Sequence, residues 1–210
     1  MEIPIIHEDN HIVVIIKPQN IEYEEVMRRL GETGTVVKSV HRLDAVTGGV
    51  MVFAKSRKAA ERLSEQIRKR EVEKKYLCVV EGVPRERGQT LKNYLIKDEK
   101  RNVVSVVPQA TEGAIYAELR YEVVKTVKNL SFLMVELETG RSHQIRVQLK
   151  NIGCPLFGDI RYNPRASKGN IALWSYKLSF CHPTTKEKLS FVVYPEDGIW
   201  EVFREDFRFI

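Results

Sequence analysis

No apolar run in this 210-residue chain approaches the roughly 18 residues that a membrane-spanning helix needs. A membrane partner is therefore not expected. The opening residues, Met1-Glu2-Ile3-Pro4, lack the basic-then-apolar layout of a secretory signal, so residence in the cytoplasm is the expectation. Cysteine is scarce: Cys78, Cys154 and Cys181 stand apart, with no Cys-x-x-Cys pair, and an odd count does not build a disulfide framework. Cys181-His182 falls short of the four clustered ligands of a structural zinc site. The three thiols are read as free and buried or half-buried. Glycine-rich phosphate loops, dinucleotide motifs, repeats and low-complexity tracts are also missing. Nothing in these absences calls for a metal, a nicotinamide or a flavin.

What is present suits a globular core. The chain is 43% hydrophobic and 30% charged, with net charge +6, a balance that accommodates a polyanionic partner without requiring one. β-Branched and aromatic runs predict strands over 12–16, 50–54, 75–81, 90–96, 102–107, 114–124, 131–137, 172–180 and 188–193. Helical spacing predicts helices over 22–30, stopped at Gly31, over 57–70 behind a Ser56 cap, and from a Ser142 cap to about Asn151. The helix after Ser56 buries Ala60, Leu63 and Ile67; its other face carries Arg57, Lys58, Arg62, Arg68, Lys69 and Arg70, which can be a solvated face or an RNA-facing one. Many strands without βαβ alternation predict an α+β fold with a mixed, mostly antiparallel central sheet flanked by helices. The tail 198–210 is aromatic and of mixed charge, with no assignable element.

The chemistry concentrates in His41-Arg42-Leu43-Asp44, where a carboxylate stands beside two potential cations on a loop. Thr47-Gly48-Gly49 then leads into the apolar run 50–54. Such a loop, ending in a strand, can hold an acid rigidly at the edge of a core. Lys75-Tyr76, the block Thr139-Gly140-Arg141-Ser142-His143-Gln144-Ile145-Arg146, and Gly158-Asp159 follow in order.

In these segments the chain resembles the RluA-type pseudouridine synthases. That family's active-site loop reads His-Arg-Leu-Asp, two variable residues, Thr-Ser-Gly; here Gly48 stands where the family usually has Ser. The acidic pair Glu8-Asp9 before an apolar strand and Lys17-Pro18 is similar to the family's entry motif, and Gln19-Asn20 departs from its usual Pro-Gly. The resemblance runs from about residue 5 to about residue 195 and implies one catalytic domain over 1–210, without the S4-like RNA-binding module of many relatives.

It also implies the chemistry. Converting uridine to pseudouridine breaks the N1–C1′ bond and joins C1′ to C5 of the same base, with no redox change, no water consumed and no cofactor or metal. A carboxylate can attack the sugar carbon or stabilise its positive charge, and Asp44 is the candidate. The resemblance makes Arg146 the ion-pair partner that keeps Asp44 ionised against burial, and stacks Tyr76 on the target uracil. A free phenol near pKa 10 is a poor base, so a proton role for Tyr76 needs help from the site. A paired base must leave its stack; Arg42 can fill the gap with its flat guanidinium. His41 supports the loop or touches phosphate. Arg141, His143 and Gln144 are expected in the cleft wall, Gln144 alternatively as a packing polar group, and Lys17 at the cleft edge or as a strand terminator. Gly158-Asp159 is read as a structural turn. The expected partner is structured RNA, ribosomal or transfer, bound by a monomer. A binding or folding module without turnover is the alternative. A glycosidase, which needs a second acid at fixed separation, ranks third.

Overall fold

The computed structural model describes residues 3–32, 34 and 37–210. Met1 and Glu2, on which part of the reading of the N-terminus rests, lie outside the described residues. The chain divides into two compact units, Met1–Lys75 with Trp174–Pro195, and Tyr76–Leu173 with Glu196–Ile210. Two strands, β5 (Glu73–Glu81) and β10 (Leu173–Cys181), carry residues of both.

In the first unit β1 (Ile5–Glu8), β2 (Ile12–Lys17), β4 (Gly48–Ala54) and β10 are hydrogen-bonded in that order, with β3 (Lys38–Ser39) on β4 and β11 (Lys188–Val192) on β10. β2 runs antiparallel to β4, placing Lys17 opposite Gly49, whereas β10 joins β4 in parallel through Trp174 and Ser175. With partners on both sides, every residue of β4 is buried, which is why its sequence is a continuous apolar run rather than an alternation. Ile12, Val14, Val50, Val52, Leu178 and Phe180 form a core with Ala59 and Leu63 of α2 (Arg57–Arg68). Ser56 caps α2 as expected, accepting from the Ala59 N–H at 3.2 Å. The helix ends two residues earlier than the spacing predicts, because Arg70 adopts φ +60. On its outer face Arg57 pairs with Glu61, and Arg68 and Lys69 with Glu65. Arg62 donates to the Pro183 carbonyl. These pairings favour the solvated reading of that face. The first helix, α1 (Tyr23–Glu32), runs through Gly31, and the chain turns instead at Gly34, at φ +86.

The second unit orders β5, β9 (Leu130–Leu137), β8 (Ile115–Val127), β6 (Gly88–Asp98) and β7 (Val103–Val107) as neighbours. β6, β7, β8 and β9 pair antiparallel, with a bulge between Val123 and Lys125. α3 (Gln144–Asn151) places Val147 in a core with Leu95, Val104, Ala117 and Tyr162. The unassigned tail forms a 3-10 helix over Gly198–Phe209, whose Trp200, Phe203 and Phe207 surround Phe132. Mixed, mostly antiparallel strands with packed helices make this the α+β fold that the sequence predicts. Cys78 and Cys154 are buried as expected, but Cys181 is exposed at the end of β10. Among the described residues, no helix is long and apolar enough to cross a membrane.

Candidate active site

The Asp44 loop belongs to the first unit and is braced from below by the residues that follow β2. Lys17 Nζ donates to the carbonyls of Ala45 at 2.9 Å and Pro18 at 2.8 Å. Gln19 Nε2 donates to the Val46 carbonyl at 3.0 Å, and the Ile21 N–H to Ala45 at 3.2 Å. The loop closes on itself through the Thr47 N–H and the Asp44 carbonyl, 2.9 Å apart, and Leu43 is buried beneath it. Asp44 itself is only half-buried. Lys17, expected at a cleft edge, is instead wholly buried, at 0% exposure. Its ammonium supports the loop rather than presenting itself to a substrate. Burial pushes it down to about 8, against the opposing pull of Glu22 and Asp44.

The loop's exit shows why glycine stands at position 48. A Cβ there would come within 2.4 Å of the Trp174 ring and 2.9 Å of the Gln19 side chain, so the serine usual in the resembling family has no room. Gly49, at φ +116, would direct a Cβ to 2.2 Å from the Ser175 carbonyl oxygen. At the loop's entrance the Val52 N–H donates to His41 Nε2 at 3.2 Å, and Ser39 Oγ donates to the His41 carbonyl. Burial, with the nearby Lys74 cation, pushes the His41 imidazole down to about 4. A neutral ring accepting from a strand amide suits loop support rather than phosphate contact. Arg42 is exposed.

The remaining candidates lie in the second unit. Tyr76 is on β5 and 6% exposed. The helix carrying Arg146 begins differently from the reading: His143, not Ser142, is the N-cap of α3, at φ 53 in the left-handed region and without a side-chain cap bond. His143 Nδ1 lies 2.7 Å from the Tyr162 hydroxyl. Gln144 is a packing group. Its Oε1 accepts from Thr139 Oγ1 at 2.8 Å and from the Arg141 N–H at 3.0 Å, and its Nε2 donates to the Glu118 carbonyl at 3.0 Å. Buried and committed to β8, it is poorly placed for the substrate contact expected of it. Arg141 is exposed, with Nε donating to the Tyr116 carbonyl.

Arg146 is buried, and its Nε and one terminal nitrogen meet the two oxygens of Asp159 at 2.8 and 2.7 Å. This bidentate pair was not legible in the sequence, where Gly158-Asp159 reads as a turn. Tyr162, three residues on, belongs to no motif, yet its ring centroid lies 5.0 Å from the guanidinium carbon. An acid and an aromatic at i, i+3 after a glycine were the only local signal. The fold thus gathers Lys17, His41, Arg42 and Asp44 on one loop and its support, and Arg141, His143, Gln144 and Arg146 around the start of α3. Among the described residues no group of three or more His, Cys, Asp or Glu side chains is arranged to hold a metal ion. In the first unit the loop offers a carboxylate on a fixed backbone near the exposed Arg42; in the second a buried guanidinium is held in a set orientation by Asp159, with Arg141 exposed at the start of α3.

The pattern of the family described as RNA pseudouridylate synthase matches residues 11–151. The uncharacterized RNA pseudouridine synthase YhcT of Bacillus subtilis (strain 168) is 33% identical over 89% of this chain and 66% of its own length, so the chain spans just under two thirds of that relative. The dual-specificity RNA pseudouridine synthase RluA of Pasteurella multocida (strain Pm70) is 32% identical, over 91% of this chain and 92% of the relative. Human RNA Pseudouridylate Synthase Domain Containing 1 shares the fold, with a TM-score of 0.79 at 18% identity over 98% of this chain and 94% of that one. With its Asp44 loop and its α3 block within the matched residues, and a relative 32% identical over 92% of that relative's length, the chain belongs to the RNA pseudouridylate synthase family, a family of isomerases.

Proposed function

We propose that this chain isomerises a specific uridine of structured RNA to pseudouridine, with Asp44 as the attacking carboxylate. The observation that carries the reading is the Asp44 loop. Three side-chain or backbone donors hold its carbonyls, its flanking glycines admit no side chain, and it falls inside the stretch matched to the family. A nucleophile on a preorganised loop needs no rearrangement to meet its target.

In the reaction, the N1–C1′ bond breaks and C1′ joins C5; the proton on C5 leaves, and N1 gains one. Asp44 attacks the sugar or the base, and is released when the new carbon–carbon bond is complete. Arg146 supplies positive charge to the reaction. Tyr76 stacks on the extruded uracil, and the exposed Arg42 occupies the vacated stack. Arg141 contacts phosphate. The substrate is ribosomal or transfer RNA, bound by a monomeric enzyme in the cytoplasm.

The competing reading is an RNA-binding module without turnover. Asp44→Asn separates the two, since it preserves shape while removing the nucleophile. Pseudouridine mapped by carbodiimide adducts and primer extension, on transcripts treated with wild type but not with Asp44→Asn, supports the isomerase. A biological effect on RNA that survives Asp44→Asn supports the binding module.

A further inference from the structure

Arginine carries five donors in a planar fork. In Arg146 that fork is clamped from two directions by a single turn. Asp159 takes Nε and one terminal nitrogen edge-on, with side-chain exposures of 5% for the arginine and 1% for the aspartate. Tyr162 covers a face of the guanidinium, its ring centroid 5.0 Å from the central carbon. Edge and face together fix both the plane of the guanidinium and its rotation within that plane.

The same turn also reaches His143. The Val104 N–H can only donate, so the Tyr162 hydroxyl accepts from it at 2.8 Å. The same hydroxyl lies 2.7 Å from His143 Nδ1, in a hydrogen bond whose donor is set by the His143 tautomer. When the Tyr162 hydroxyl donates in that bond, a neutral His143 carries its proton on Nε2. His143 is buried and holds a left-handed backbone with no side-chain cap bond, a strained placement that its partner at Tyr162 helps to define.

The turn is built to be rigid. The Tyr162 and Asn163 N–H groups return to the Asp159 carbonyl at 3.2 and 2.8 Å. Gly158, at φ +75, packs so closely that a Cβ would lie 2.5 Å from the Asn170 carbonyl oxygen. Beyond it, Asn163 Nδ2 and the Ser167 N–H both donate to Glu81 on β5, at 2.9 and 2.8 Å. A buried ion pair is a poor device for stability, since apolar residues of similar volume serve as well or better. Its use here calls for another reason.

We propose that Asp159 and Tyr162 are positioning residues of the active site, the first aiming the Arg146 guanidinium and the second fixing the tautomer of His143. The inference rests on the reading of Arg146 as part of the catalytic set, and two independent measurements keep the claims separable. The first needs no activity. In ¹⁵N spectra of the labelled protein, His143 shows a protonated Nε2 and a bare Nδ1, and the Arg146 Nε–H exchanges slowly. Tyr162→Phe converts the His143 signal to a mixture of tautomers. Asp159→Asn speeds Arg146 Nε–H exchange by about tenfold or more, as loss of a charge-assisted hydrogen bond at Nε requires.

The second measurement is the single-turnover rate of pseudouridine formation on transcripts of large-subunit ribosomal RNA and on a pool of transfer RNA transcripts. Each variant loses about tenfold or more in that rate constant while its RNA Kd stays within about threefold of wild type. If Asp159→Asn does not fold, Asp159→Glu, which keeps the charge but moves it, tests the aiming of Arg146 by the same exchange and rate measurements, and Tyr162→Phe, which removes a single oxygen, tests the tautomer of His143. Rates within about twofold of wild type, with the spectra altered as described, would make the turn framework only and overturn the proposal. Unaltered spectra would overturn it as well. Absence of product from the wild type on every transcript contradicts the assigned reaction instead, and the spectra alone then judge whether the turn positions Arg146 and His143.

Discussion

Restoring the family's serine at position 48 should damage this protein. The Gly48 backbone lies against Trp174, where a Cβ would sit 2.4 and 2.8 Å from two ring carbons, more than 0.5 Å inside ordinary contact at about 3.4 Å. The ring has little freedom to withdraw, because its Nε1 donates to the Val193 carbonyl at 2.9 Å. Overpacking of this kind costs roughly 1–3 kcal/mol. For a chain of this size that corresponds to a fall in Tm of roughly 2–12 °C. Gly48→Ser should show this cost in urea unfolding followed by far-UV circular dichroism, which does not depend on the tryptophan whose surroundings change. Trp174→Leu shortens the obstructing side chain, so the double variant should be more stable than the sum of the two single effects by about 1 kcal/mol or more. Because β4 begins where the Asp44 loop ends, Gly48→Ser should also slow turnover, and Trp174→Leu should recover part of the loss. A Gly48→Ser protein within about 0.5 kcal/mol of wild type, or strict additivity in the double variant, would refute the steric argument.

Three further outcomes follow from the same geometry. The native state favours neutral His41, whose pKa is pushed from 6.5 to about 4, so the unfolded chain binds more protons between those values. Stability from this group, up to roughly 3 kcal/mol, is complete above about pH 6.5 and lost as pH falls toward 4; His41→Gln should flatten the wild-type urea midpoint in that window, and parallel curves would contradict the assignment. Removing one member of the buried pair, as in Asp159→Ala, should cost roughly 3–5 kcal/mol, whereas Arg146→Met with Asp159→Leu should recover most of it; a single variant that melts with wild type would remove the ion pair from the account. RNA affinity measured between 50 and 200 mM salt should fall linearly on a log–log plot as phosphate contacts release counterions, and a flat plot would exclude an interface dominated by phosphate.

The backbone plan was largely legible. β-Branched runs such as Ile12-Val13-Val14-Ile15-Ile16 become strands because their partners bury both faces, and Ser56 caps α2 through a bond to its own helix. Local signals failed where a distant partner decided the outcome. Gly31 has helical neighbours and does not stop α1. Ser142 yields the cap position to His143, whose unusual backbone accompanies a bond to Tyr162, nineteen residues away. Lys17 looks like a strand terminator until β2 pairs with β4 and puts its ammonium beneath the Ala45 carbonyl.

The candidate site divides in the same way. The resemblance of the motifs to a known family is what points to Asp44, Tyr76 and Arg146. It could not reveal what holds Arg146, because Asp159 reaches it only after α3 and the turn beginning at Gly158 have packed together. Nor could it give the reason for Gly48, which lies in a tryptophan contributed by a strand more than a hundred residues later. Candidate residues are marked by type and order, whereas the partners that hold them are specified by tertiary contact.

The most direct test of the account is pseudouridine mapping, by carbodiimide adducts and primer extension, on unmodified ribosomal and transfer RNA transcripts incubated with wild type and with Asp44→Asn. The account predicts a new pseudouridine at a defined uridine with wild type and none with Asp44→Asn. An equal yield from Asp44→Asn would contradict the assignment of Asp44, and no product from the wild type on any transcript would contradict the isomerase itself.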